Sequence, residues 1–272
     1  MNLWTGTWAT CRFELARSLT LQRMVFATVL ALFPPLMVFV LGQGLRILEA
    51  DNEVSAADVQ SVIRFFPLII IFLVTIVCVL SLLLWATTNV YSDLEGKSWI
   101  FLATRPRGRI AVLLGKYIAA VVQAFVIAEI SIALSILVTP NGTFSDPTQF
   151  WISLSGVILI ACFVYGAILS LIGTLFYRRA MVIGAGYLIA VELLLANIPA
   201  LVCNFTVRRH LFDLGVRWIG WFFPGADSMY KIQYGWYPQW VNLAALGAMA
   251  VVALLAACHV VQTREYLTAD ET

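Results

Sequence analysis

Charge and histidine are what this sequence has least of. Lys, Arg, Asp and Glu make up 12% of its 272 residues and apolar types 61%. That balance excludes an ordinary soluble domain, where about 25% of residues are charged. His210 and His259 are the only histidines, and no cluster with metal-ligand spacing is present. The five cysteines, Cys11, Cys78, Cys162, Cys203 and Cys258, show no Cys-x-x-Cys spacing and read as small apolar fillers. A net charge of +2 exerts little pull on nucleic acid, so no nucleic-acid partner is expected, and nothing calls for a cofactor. Internal repeats, low-complexity tracts and soluble domains of useful size are also missing.

What the chain does contain is long apolar runs. A window of about 19 residues finds six, at about 24–45, 67–87, 110–138, 150–172, 180–202 and 241–262. As a helix, Met24–Leu45 would measure about 33 Å, enough for a hydrocarbon core of about 30 Å. The expected class is therefore an all-α integral membrane protein with six transmembrane helices and the lipid bilayer as its surroundings. Arg12, Arg17 and Arg23 precede the first run, but that run is too long for a signal peptide and has no small-residue cleavage site. With both termini inside, the cytoplasmic segments hold eleven Lys and Arg residues and the outer ones six, which satisfies the positive-inside rule. Trp85, Trp151 and Trp240 then fall at span ends, where interfacial aromatics belong.

The remaining segments carry expectations of their own. Trp4, Trp8, Cys11, Leu15 and Leu19 recur at spacings of three and four, so residues 3–20 read as an interfacial helix with one apolar stripe, Glu14 and Arg17 pointing elsewhere. The alternative, the start of a longer first span, would draw three arginines into lipid. Pro34-Pro35 should kink the first span. The outer segment 203–240 is rich in Trp and Phe, and Pro224-Gly225 should end a short helix over Leu211–Phe223 and let another begin near Asp227. Cap and extracellular gate are both open readings of it. Asn141-Gly142-Thr143 and Asn204-Phe205-Thr206 match the glycosylation sequon.

Catalytic readings fail on spacing. Between Gly108 and Gly115-Lys116 lie six residues rather than four, and Tyr117 stands where a phosphate-binding loop needs Ser or Thr. Ser155 and His259 evoke an intramembrane protease of the rhomboid kind, but the sequence separates them by roughly 20 Å in depth. The motif's first Gly is also missing from Ser153-Leu154-Ser155-Gly156. Two acids remain inside spans, Glu129 and Glu192. Neither should face lipid, since an acid at the bilayer centre costs about 2.5 kcal/mol or more. Each is either bonded to neighbours such as Ser131 or Asn197 or lines a substrate or proton path.

The densest charge cluster lies between the second and third runs, "YSDLEGKSWIFLATRPRGRIAVLLGKY", residues 91–117. Asp93 and Glu95 suit the first turn of a short helix, and Arg105-Pro106 stops it. Trp99, Phe101 and Leu102 give it an apolar knob inside a basic collar, which fits a protein–protein joint. A helix lying on phospholipid heads is the other reading.

At the level of motif, Asp93-Leu94-Glu95-Gly96-Lys97, Phe101-Leu102-Ala103-Thr104-Arg105-Pro106, Arg109 and Leu114-Gly115-Lys116-Tyr117 resemble the loop between spans two and three of type-2 ABC export permeases. The similarity covers about 27 residues and extends to the layout: interfacial helix, six spans, long outer segment before the last. The resemblance implies a cytoplasmic coupling helix that docks on a separate ABC ATP-binding subunit. Glu95, Gly96, Arg105, Pro106 and Arg109 would form the coupling loop, with Lys116 anchoring the start of span three. It further implies a second permease copy or a similar permease, a bacterial inner membrane, and no catalysis by this chain. In a rival reading the chain is a secondary transporter or channel using Glu129 and Glu192.

Overall fold

Five of the six apolar runs become long helices. The computed structural model describes residues 3–50, 62, 66–91, 93, 108–139, 143–144, 146–197, 201–219 and 237–264, which hold eight α-helices and no strand. The long ones are α2 (Leu21–Ala50), α3 (Phe66–Ala86), α4 (Gly108–Val138), α5 (Pro147–Leu175) and α8 (Gln239–Thr263). Each is long and apolar enough to cross a membrane, so the chain is an all-α protein of integral-membrane character. Shorter helices are α1 (Leu3–Ser18), α6 (Ala180–Tyr187) and α7 (Val207–Ile219).

Burial separates the helices by role. In its most apolar window α5 is 61% buried, whereas α2 and α8 reach 22%; α5 is the central post and the other two are peripheral. The core joins Ile70, Val74 and Leu82 of α3 to Leu154, Ile158 and Leu169 of α5. On α4 the face turned to the core carries Ala120, Ala124 and Ala128, small residues four apart that let backbones approach. The start of α5 is fixed locally. Asp146 accepts from the Thr148 and Gln149 amides at 3.0 and 3.2 Å, Pro147 follows it, and the Thr148 hydrogen bond, then that of Gln149, lowers the carboxyl's pKa. Helix α2 runs through Pro34 and Pro35, both buried, so the turn lacking their N–H groups faces protein rather than lipid.

Three expectations are completed or changed. First, the buried face of α1 is Gly6, Thr7, Cys11 and Glu14, while Trp4 and Trp8 are 72% and 64% exposed. The tryptophan stripe points away from the bundle because α1 packs on α4 through small residues. A Cβ on Gly115 would lie 2.6 Å from the Thr7 carbonyl oxygen. Second, the run 180–202 is no regular span. After α6 the chain widens into a π-helical turn over Leu188–Leu194 and then a 3-10 turn over Leu195–Asn197. Third, the helix expected over Leu211–Phe223 begins earlier, at Val207, and is described to Ile219; residues 220–223, the Pro224-Gly225 break and the helix expected near Asp227 lie outside the described residues.

Helix α7 runs antiparallel along α5. Near one end the Ser153 hydroxyl donates to the Trp218 carbonyl at 3.0 Å, and near the other Tyr165 and Arg208 line the same cavity. Tyr165 lies eighteen residues from Pro147, about 27 Å along α5, so the N-terminus of α7 reaches deep beside the central helix.

Candidate functional site

Lys116 is the centre of a buried ion cluster that joins several elements. It is 4% exposed on the third turn of α4, and its Nζ lies 2.7 Å from Asp93 Oδ1 and 3.5 Å from Glu14 Oε1 while donating to the Asn89 carbonyl at 2.8 Å. Glu14 in turn lies 3.7 Å from Arg17 and 3.8 Å from Arg23. One buried ammonium thus joins α1, the chain leaving α3 and α4, and through Glu14 also the start of α2. Burial raises the Asp93 carboxyl's pKa despite the opposing pull of Lys116; lost water outweighs the ion pair. Glu14 points away from the exposed tryptophans, as expected, and the direction it takes is inward, because a buried lysine needs anions around it.

The far side of the same end is held by other contacts. Val90 and Leu113 pack with Ala257 and Val261 of α8. The Arg109 guanidinium donates to the Gln262 carbonyl at 3.4 Å, and Arg264 donates to the Leu175 carbonyl while lying 5.8 Å from the Tyr177 ring centroid. Segment 94–107 therefore leaves from a residue clamped by Lys116 and returns beside an arginine tied to α8. Glu95, Gly96, Trp99, Phe101, Leu102, Arg105 and Pro106 lie outside the described residues. Of the expected coupling residues, Arg109 alone is described, at the returning stem.

The two acids within the apolar runs are separate. Glu129 accepts from the Trp151 indole at 2.7 Å, not from Ser131, whose hydroxyl has no hydrogen-bond partner among the described residues. Glu192 is buried and accepts four hydrogen bonds: from the Tyr165 and Tyr187 hydroxyls at 3.0 Å each, and from the Val207 and Arg208 amides at 3.2 and 2.8 Å. The amides belong to the N-terminus of α7, where helix geometry leaves N–H groups unpaired. Deep in an apolar bundle they require a protein acceptor. The π-helical turn brings Glu192 to Tyr187, five residues earlier, and this cap takes the place of the Asn197 contact expected from sequence. Trp151 and Tyr165 are fourteen residues apart on α5, so the two carboxylates attach to it at points about 21 Å apart.

Next to Tyr165 and Arg208, two of the residues that donate to Glu192, a cavity of about 270 Å³ opens between α3, α5 and α7, with Thr75, Tyr165 and Arg208 as the polar part of an otherwise apolar lining. Above it a buried network ties α7 to α8. His210 Nδ1 lies 2.8 Å from Asn242 Oδ1, Asn242 donates to Asp213, and Arg217 Nε pairs with Asp213 at 3.4 Å. Asp213 and Arg217 stand at i,i+4 on α7, but the contacts to Asn242 have no sequence signature, since those pairs are 29 and 32 residues apart.

No protein-family model matches the chain, and comparison with curated proteins returns no match. The class supported on these grounds is a helical integral membrane protein.

Proposed function

We propose that this chain is the membrane-spanning subunit of an ATP-driven exporter of the type-2 ABC permease kind, with ATP hydrolysed on a separate subunit. The observation that carries the reading is the clamped pair of stems around segment 94–107. Asp93 is held by Lys116 at 2.7 Å, and Arg109 is tied to the end of α8. A handle transmits displacement only if its roots are rigid. A push on Glu95, Trp99 or Arg105 by a closing ATPase pair is delivered through Lys116 to α1, α2 and α4 together. In this reading the chain moves substrate and performs no chemistry itself.

Connectivity supports six crossings. The contacts of Lys116, Arg109 and Arg264 gather α1, the start of α4, and the ends of α5 and α8 at one end of the bundle. Both α5 and α8 therefore run toward that end, and the chain between them must return to the opposite one. The broken stretch α6 to Asn197, with the segment after it, makes that return. The same end carries Arg12, Arg17, Arg23 and Lys116, which supports the cytoplasmic side for it by the positive-inside rule; a bacterial inner membrane is what the permease reading implies. A second permease completes the pathway, since α2 and α8 leave broad apolar faces.

Glu192 weighs against proton or cation transport: its carboxylate is filled by four donors, and Glu129 attaches to α5 about 21 Å away. The test is co-purification. Tagged wild-type chain drawn from its native membrane is expected to bring down an ATP-binding subunit. Glu95→Lys combined with Trp99→Ala is expected to lose most of it. Equal recovery by both chains contradicts the assignment.

A further inference from the structure

An apolar groove of about 860 Å³ runs along the outside of the bundle between α1, α2 and α4. Ala27, Ala31, Val122, Val126, Ile130 and Leu134 form much of its wall, and Val126 and Ile130 are 50% and 48% exposed. From Val122 to Leu134 it follows α4 for twelve residues, about 18 Å. A single leaflet of hydrocarbon is about 15 Å deep. Arg12 and Arg23 border the end next to the Lys116 junction. Arg12 is exposed and makes no ion pair among the described residues.

We propose that this groove binds an anionic phospholipid of the leaflet beside α1, with one acyl chain along Val122–Leu134 and the phosphate on Arg12 and Arg23. Length and charge select this occupant. The channel matches one leaflet in depth and places its cations where the headgroup of an inserted lipid lies. A second copy is a poorer fit. A two-fold axis along the membrane normal through the groove keeps each residue at its own depth, so Arg12 would meet Arg12. The bound lipid would brace α1 against α2 and α4, the elements that Lys116 and Glu14 join. Binding needs only that α2 and α4 lie in the bilayer, so it stands apart from the ATPase assignment.

The experiment uses the full chain in nanodiscs of phosphatidylcholine with a minor fraction of phosphatidylglycerol, followed by detergent extraction and mass spectrometry of the retained lipid. Phosphatidylglycerol is expected to be enriched over phosphatidylcholine. Arg12→Gln is expected to reduce that enrichment about fivefold, the weight of one basic residue at an anionic surface, and Arg12→Lys to restore most of it. Val126→Trp, which fills the groove and spares both arginines, should lower retention of both lipids. Enrichment that is absent, or identical in wild type, Arg12→Gln and Val126→Trp, overturns the proposal. So does efficient disulfide cross-linking of Val126→Cys between two copies in the bilayer, which would make the groove a protein interface.

Discussion

Lys116 is a residue whose environment has been built from both sides of the sequence. Two carboxylates and a backbone carbonyl surround an ammonium that is 4% exposed. Removing the cation leaves Asp93 and Glu14 buried together, and Lys116→Met should cost about 3–5 kcal/mol in a denaturation assay at neutral pH. The pH dependence has a definite sign. Burial raises the Asp93 pKa from its ordinary value, so the penalty of its charge is present above the folded pKa and is relieved as pH falls through it. The deficit of Lys116→Met should therefore shrink on acidification. A deficit constant or growing toward acid would contradict the picture. At Glu192, Gln substitution keeps the shape but removes the charge and leaves too few acceptors for four donors. Amide exchange at Val207 and Arg208 should speed up, with a loss of about 1–3 kcal/mol; unchanged protection at both amides would remove Glu192 from its role as cap.

Among the elements, α1 depends on the absence of a side chain at Gly115. A Cβ there would stand 2.6 Å from the Thr7 carbonyl oxygen and 2.7 Å from Thr10 Cβ. Gly115→Leu should thus lift α1 from α4 and expose it to protease while α4 and α5 remain packed; protease resistance equal to wild type would show that α1 is held elsewhere. Which elements exist was largely legible in the sequence. The runs at 67–87, 110–138, 150–172 and 241–262 became Phe66–Ala86, Gly108–Val138, Pro147–Leu175 and Gln239–Thr263, because an apolar run of about 20 residues has few alternatives to a helix. The run at 180–202 does not become one regular helix, for a physical reason. Hydropathy counts apolar residues and does not register that one acid within them caps a helix beginning fifteen residues later, as Glu192 does for Val207. On α1 periodicity found the helix and its exposed tryptophan stripe but not the face that packs on α4. Trp4 and Trp8 supply the apolar area, but Gly6, Thr7 and Cys11 allow the close approach. For the site, Lys116 and Arg109 were marked by motif, whereas Glu14 became visible only once α1 lay against α4.

For the whole molecule, the arrangement of ends is the strongest constraint. Five long helices alone would put α1 and the end of α8 on opposite faces, yet Lys116, Arg109 and Arg264 bind α1, α4, α5 and α8 at one end. Reporter fusions at both termini should accordingly label on the same side, and opposite labelling would remove the sixth crossing. What that shared end is for is the central proposal: that residues 94–107 are the handle by which an ATP-binding subunit moves the bundle. The most direct measurement places a photo-crosslinking residue at Trp99 in the full chain in its native membrane and identifies the adduct by mass spectrometry. The account predicts an ATP-binding subunit cross-linked from position 99 and absent from a matched probe at Trp240, which lies at the opposite end of α8. Adducts to lipid alone from position 99, or equal capture from both positions, would contradict it.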